Sequence, residues 1–259
     1  MNSPFLEVKR LTKDFGGIRA INEVTFNIEK GEIVGLIGPN GAGKTTLVRL
    51  ITGILKPTYG SVQFKGEEIT GWPTWKIVNK GIVCTFQVVK PFRHLPVIAN
   101  VMVSSLCPNA KKKGEWVKTV ELRARDALEF CGIADLALEL ASVLSHGELK
   151  RLEIARAIGT FPELLLLDEP FGGLNPAETT LLANSLKRLN KGGRFGRLHS
   201  EEITMVVVEH KLSDLMKIVN RVIVIDHGEI ITIGSPEEVV KDPRVIKAYV
   251  GREVFKGVS

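Results

Sequence analysis

Two stretches of this chain carry residues able to work on a polyphosphate. The first is Gly38-Pro39-Asn40-Gly41-Ala42-Gly43-Lys44-Thr45-Thr46, in which four free positions separate Gly38 from Gly43, Lys44 and Thr45. Glycines let successive backbone N–H groups turn inward on an anion without interference from Cβ. Lys44 can reach the β- and γ-phosphates, and the Thr45 hydroxyl suits Mg2+, which prefers hard oxygen ligands. The second stretch ends in Asp168-Glu169. One carboxylate there can hold Mg2+ directly or through water, and its neighbour can polarise an attacking water as general base.

Both stretches need strands and helices to present them. Ile33, Val34, Leu36 and Ile37 suit a buried strand before the glycine-rich loop, and Leu47, Leu50, Ile51 and Ile54 recur at helical spacing after it. Strand, loop and helix in that order make a P-loop, whose helix turns its positive N-terminal end to the anion. Leu164 to Leu167 are four consecutive apolar residues, the pattern of a central parallel strand, and place Asp168 at the strand end facing the phosphates. Gly81 to Phe86 is another buried-strand candidate and leads into Gln87, where parallel sheets bind ligands. Ile203 to Val208 is a further one, capped by Glu209-His210. The histidine could contact a γ-phosphate or satisfy a buried hydrogen bond.

Around these lie the supporting segments. Residues 5–9 and 22–28 alternate as two short strands about a turn at Gly16-Gly17, with Phe15 either a core aromatic or a ligand stacker. Residues 88–144 read as mostly helical, Lys111 to Lys113 as a solvated loop, and Trp116, Val120, Ala124, Ala127 and Leu128 as a core-facing stripe. Ser145 and Glu148 have capping-box spacing at the head of a helix, which is also an anion site by position, and spacing does not separate the two. Lys191 to Arg197 reads as a mobile basic loop. Arg221 to Asp226 and Glu229 to Ile233 form a hairpin, and Ser235 and Asp242 open two last helices.

Composition narrows the class. In 259 residues, 35 basic against 29 acidic side chains leave a net charge of +6, which suits a solvated surface, a polyanion ligand or an anionic membrane face. No apolar run approaches the ~18 residues of a membrane span. The first ten residues lack a secretory leader, so the expected place is the cytoplasm. Three scattered cysteines, Cys84, Cys107 and Cys131, favour buried or free thiols over disulfides or zinc.

Taken together, these pieces resemble the ATP-binding cassette family of transport ATPases over essentially the whole chain, and their order is the strongest argument. The resemblance implies that Phe15 stacks on adenine, that Gly38 to Thr46 is the Walker A loop, and that Gln87 is the Q-loop residue touching Mg2+ and the membrane subunit. It makes Ser145, His146, Gly147 and Glu148 the signature, acting on the partner subunit's nucleotide, and Asp168 with Glu169 the Walker B pair. Gly173 to Pro176 corresponds to the D-loop and His210 to the switch histidine. Finer strings, Phe15 to Ile21, Thr85 to Arg93, Arg151 to Arg156 and Asp242 to Gly251, look like the larger ATPase subunit of branched-chain amino acid importers. Subunits for urea or amide import and lipopolysaccharide export share several of them. The usual signature is Leu-Ser-Gly-Gly-Gln. Here His146 and Glu148 stand at the first glycine and the glutamine, from which we expect function with altered affinity.

The expected architecture is therefore α/β: a P-loop NTPase core with a mostly parallel sheet flanked by helices, an N-terminal antiparallel β subdomain and an inserted helical subdomain. The core would span about 1–87 and 160–259, and the helical part about 88–159. Expected ligands are ATP and Mg2+. Expected partners are integral membrane permease subunits, a second identical or different ATPase subunit and, indirectly, an extracytoplasmic substrate-binding protein, all at the cytoplasmic membrane face and without nucleic acid. Two other classes fit less well. A cassette ATPase of DNA repair or translation would want a long coiled-coil insertion or two cassettes in one chain. A GTPase would want Asn-Lys-x-Asp, yet Asn79-Lys80 and Asn190-Lys191 both lack the aspartate.

Overall fold

Alternating side chains near the N-terminus produce longer strands than the apolar pattern alone suggests: β1 (Leu6–Phe15) and β2 (Ile18–Ile28) form an antiparallel ribbon. The chain is seen in a computed structural model, described over residues 3–86, 89–107, 117–195, 198–200, 202–210 and 212–249. Next come β3 (Ile33–Ile37), α1 (Lys44–Ile51), β4 (Tyr59–Phe64), β5 (Glu67–Glu68), α2 (Thr74–Asn79) and β6 (Ile82–Cys84). The middle of the chain holds α3 (Val97–Ser105), α4 (Val117–Phe130), α5 (His146–Ile158), β7 (Leu164–Asp168) and α6 (Pro176–Asn190). Then follow β8 (Gly193–Phe195), β9 (Leu198–Ser200), β10 (Thr204–Val208), α7 (Leu212–Leu215), β11 (Arg221–Asp226), β12 (Glu229–Gly234), α8 (Pro236–Lys241) and α9 (Pro243–Tyr249).

The chain divides into two compact units, Met1–Ile77 with Thr204–Ser259, and Val78–Ile203. In the first, β1 pairs antiparallel with β2 and β4, while β3 runs parallel between β10 and β11, and β12 turns back against β11. Ile33 to Ile37 and Thr204 to Val208 are buried throughout, so neither strand has a solvent face and both are continuous rather than alternating apolar runs. Helix α1 turns Leu47, Val48, Leu50 and Ile51 inward.

In the second unit β6 pairs parallel with β7, whose four leucines are fully buried. Each such side chain contributes about 1.5–3 kcal/mol over an exposed one. Helices α3, α4 and α5 pack on one another, and Val120, Ala124, Ala127 and Leu128 form the buried stripe of α4; Trp116 and Lys111 to Lys113 lie outside the described residues. One expectation is corrected here. The Gly- and Arg-rich stretch after Lys191 is not a featureless loop, because β8 and β9 pair antiparallel across it, Gly193 opposite Ser200. None of the three cysteines is in a disulfide, and burial pushes the Cys131 thiol up to about 12.

Candidate functional site

The glycine-rich loop in the first unit is built mainly from backbone. Gly43 caps α1 at φ 107°, a left-handed conformation that L side chains rarely adopt, and a Cβ there would come within 2.8 Å of the Ala20 carbonyl. No side-chain hydrogen bond is made at this helix's cap. Lys44 crosses the loop and donates from Nζ to the carbonyls of Gly38 at 2.6 Å and Pro39 at 2.8 Å. The hairpin between β11 and β12 braces the loop from outside: the Gly228 N–H donates to the Ala42 carbonyl, and its own carbonyl accepts from Asn22. Thr45 and Thr46 sit half-buried on the first turn of α1. An open pocket of about 620 Å³ lies against the outer corner, Pro39 to Ala42, with Asp226, His227, Arg244 and Lys247 in its wall.

Phe15 ends β1 opposite Ile18 and is 46 % exposed, with the Lys13 ammonium 5.0 Å from its ring centroid. It is a surface aromatic and not part of the core. His210 follows β10 directly. Its side chain is 53 % exposed, while the neighbouring Glu209 is wholly buried, with its carboxylate 3.8 Å from His210 Nδ1.

The second unit holds the acidic strand end and the signature. Asp168 closes β7, buried, with its N–H donating to Thr85 Oγ1 at 3.2 Å. Glu169 is half-buried at φ 51°, a left-handed conformation that costs a non-glycine residue about 1–3 kcal/mol and that Arg10, Glu23, Lys65, Phe161 and His227 share. Ser145 caps α5 in a complete capping box: its Oγ accepts from the Glu148 N–H, and its N–H donates to Glu148 Oε2 at 2.7 Å. The spacing that sequence left open between cap and anion site is thus a formed cap. Those bonds hold the Glu148 carboxyl below its usual range. His146 lies over the turn before α6, since a Cβ on Gly173, itself at φ 77°, would fall 2.5 Å from the ring. Arg151 joins the two helix heads through a 2.6 Å ion pair to Glu178, which also closes the capping box of Asn175. Gln87 lies outside the described residues.

Residues 92–97 are part surface and part core. Phe92 is 47 % exposed and Leu95 is exposed too, but Val97 is fully buried, because it begins α3 on the inner face. Sequence reasoning missed the neighbours of this face. Leu138, Leu140 and Val143 are exposed, and Ala141 and Ser142 donate backbone bonds to Leu95 and Arg93. Leu138 and Leu140 lie between two short helical turns, Ala134–Leu136 and Ala141–Val143, and Val143 ends the second, a weak signal without a third dimension. Also missed were Lys150 and Glu153, charged side chains of α5 that are buried.

Each of the two units thus carries part of the residue pattern expected of a nucleotide-hydrolysing cassette. The family model described as ABC transporter matches residues 21–172, and the chain belongs to that family as its ATP-binding, ATP-hydrolysing subunit. A second model, branched-chain amino acid ATP-binding cassette transporter, matches residues 229–254 and so covers Ile231, Arg244 and Lys247 of the pocket wall. The chain is 39% identical, over 97% of its length and 99% of the relative's, to the high-affinity branched-chain amino acid transport ATP-binding protein BraF of Pseudomonas aeruginosa. It is 37% identical, over the same shares, to LivG of Escherichia coli strain K12, which carries the same description. Among solved structures, the ADP conformation of an ATP-binding cassette from an ABC transporter matches with a TM-score of 0.81 and 30% identity, covering 96% of this chain and all of that one.

Proposed function

We propose that this subunit powers uptake of branched-chain amino acids through integral membrane permease subunits, bound to them at the cytoplasmic membrane face and paired with a second ATPase subunit. The observation that supports the substrate is near-complete coverage, in both directions, of relatives described as high-affinity branched-chain amino acid transport ATP-binding proteins. The residues fit ATP with Mg2+. Backbone N–H groups of an uncapped helix and the Lys44 ammonium suit phosphate, and the hydroxyl of Thr45 and the carboxylate of Asp168 are hard oxygen donors. Gln87 joins them by family resemblance. Pro39 to Ala42 and Thr46 complete the cradle, and Phe15 offers an exposed ring to adenine.

Glu169 takes a proton from the attacking water, and His210, exposed at its strand end, contacts the γ-phosphate. Ser145, His146, Gly147 and Glu148 act on the partner subunit's nucleotide. The half-exposed Phe92 and Leu95, with Leu140 and Val143, offer a permease an apolar face. Reconstitution with permease and substrate-binding subunits tests both parts. ATP-dependent uptake of labelled leucine is expected, whereas uptake of urea in its place would replace the substrate assignment. Phe92→Asp with Leu95→Asp should abolish uptake and leave ATP affinity unchanged; retained uptake would remove this face from the coupling path.

A further inference from the structure

Helix α5 starts at an exposed serine, and its charged side chains would be expected to point to water. Lys150 and Glu153, one turn apart, are instead 3 % and 8 % exposed. Buried charges are expensive, and an apolar pair of similar volume often stabilises a fold as well or better. What these two touch is backbone at the hydrolytic strand ends. Lys150 Nζ donates to the Glu169 carbonyl at 3.3 Å. Glu153 Oε1 accepts from the Phe86 N–H at 2.8 Å. The residue before Phe86 is Thr85, whose N–H donates to the Leu166 carbonyl and whose hydroxyl accepts from the Asp168 N–H. One helix therefore grips the Asp168-Glu169 turn at two points, one directly and one through Phe86 and Thr85.

We propose that Glu153 and Lys150 are positioning residues for the Asp168-Glu169 turn, holding the carboxylates in register with the helix that begins at Ser145. Burial raises the affinity of Glu153 for a proton, opposed by the Phe86 N–H, Lys150 and Arg156 and reinforced by the nearby Asp168 charge. The Glu169 carbonyl that Lys150 meets also accepts from the Gly172 N–H, so the lysine joins the turn at a bond the backbone already makes. The inference rests on Asp168 and Glu169 serving Mg2+ and the attacking water.

The test compares Glu153→Leu, Glu153→Gln, Lys150→Met and Glu169→Gln in the full chain. It measures ATPase kcat, the half-saturating Mg2+ concentration and ATP affinity without Mg2+. Glu153→Leu should lower kcat by about tenfold or more and raise the Mg2+ requirement, with Mg2+-free affinity unchanged. Glu153→Gln keeps an oxygen for the Phe86 N–H and should restore kcat to within about threefold of wild type. A folded Glu153→Leu variant with wild-type kcat and Mg2+ dependence would overturn the proposal. So would loss of affinity in step with kcat, or a glutamine variant as impaired as the leucine one. If Glu153→Leu does not fold, Lys150→Met decides by the same criteria, a lower kcat at unchanged affinity supporting the proposal and a wild-type kcat ending it. Glu169→Gln separates the two levels: hydrolysis near wild type there defeats the general-base assignment itself, whatever the helix variants do.

Discussion

Helices α1 and α5 both begin where the family places phosphate, yet their first turns are made in opposite ways. Helix α1 starts at a left-handed glycine with no side-chain cap, and the loop before it is held together by Lys44 on two of its own carbonyls. Helix α5 starts at a serine whose capping box is closed on itself, and it is tied to its surroundings by side chains: His146 over Gly173, Arg151 to Glu178, Lys150 to Glu169. The first arrangement sets a lysine within a loop of backbone groups, the parts we propose for phosphate. The second ties a helix to the Asp168-Glu169 turn that we propose as catalytic. Open binding and rigid transmission need different kinds of helix start.

The comparison can be broken most decisively at the acid pair. Glu169→Gln should bind ATP normally and hydrolyse it on the order of a hundredfold more slowly, as loss of a general base usually does. Single-turnover hydrolysis close to wild type would move that role elsewhere, with His210 next in line. On the open side, Lys44→Ala should weaken nucleotide binding by about tenfold or more, since a charge-assisted bond to phosphate contributes about 1.5–3 kcal/mol. It should also loosen the loop, whose Gly38 and Pro39 carbonyls lose their donor. Calorimetric titration that finds ATP affinity intact in a folded variant would remove the loop from the binding site.

Phe15→Ala sharpens the same side with a comparable or smaller effect, about 1–3 kcal/mol of ATP affinity if the ring stacks on a base. Its exposure predicts little change in melting temperature, and a large thermal loss without loss of affinity would restore a packing role. The smallest effect belongs to the closed helix. Ser145→Ala removes the cap and should cost about 1 kcal/mol of stability, read as a lower denaturation midpoint. Nucleotide binding to the isolated subunit should not change, because the signature is assigned to the partner's nucleotide; weaker binding would place Ser145 in its own subunit's site.

Much of this was legible from residue types and spacing, because the physics involved is local. A loop of glycines before a lysine can do little but curl around an anion, and four leucines ahead of two acids need a strand buried on both faces. From those patterns came the buried strands β3, β7 and β10, the starts of the two last helices and the family. Tertiary structure decided what depends on which face a side chain meets. Val97 and Phe92 are equally apolar in sequence, yet one is core and the other surface. Glycine and arginine after Lys191 read as a loop, yet cross-strand pairing makes a hairpin that no short-range signal announced. Lys150 and Glu153 look like any solvated pair one turn apart, and their bonds to the Glu169 carbonyl and the Phe86 amide appear only once the chain is folded. Burial and hydrogen-bond satisfaction are properties of neighbours distant in the chain, and the sequence states them only after it has folded.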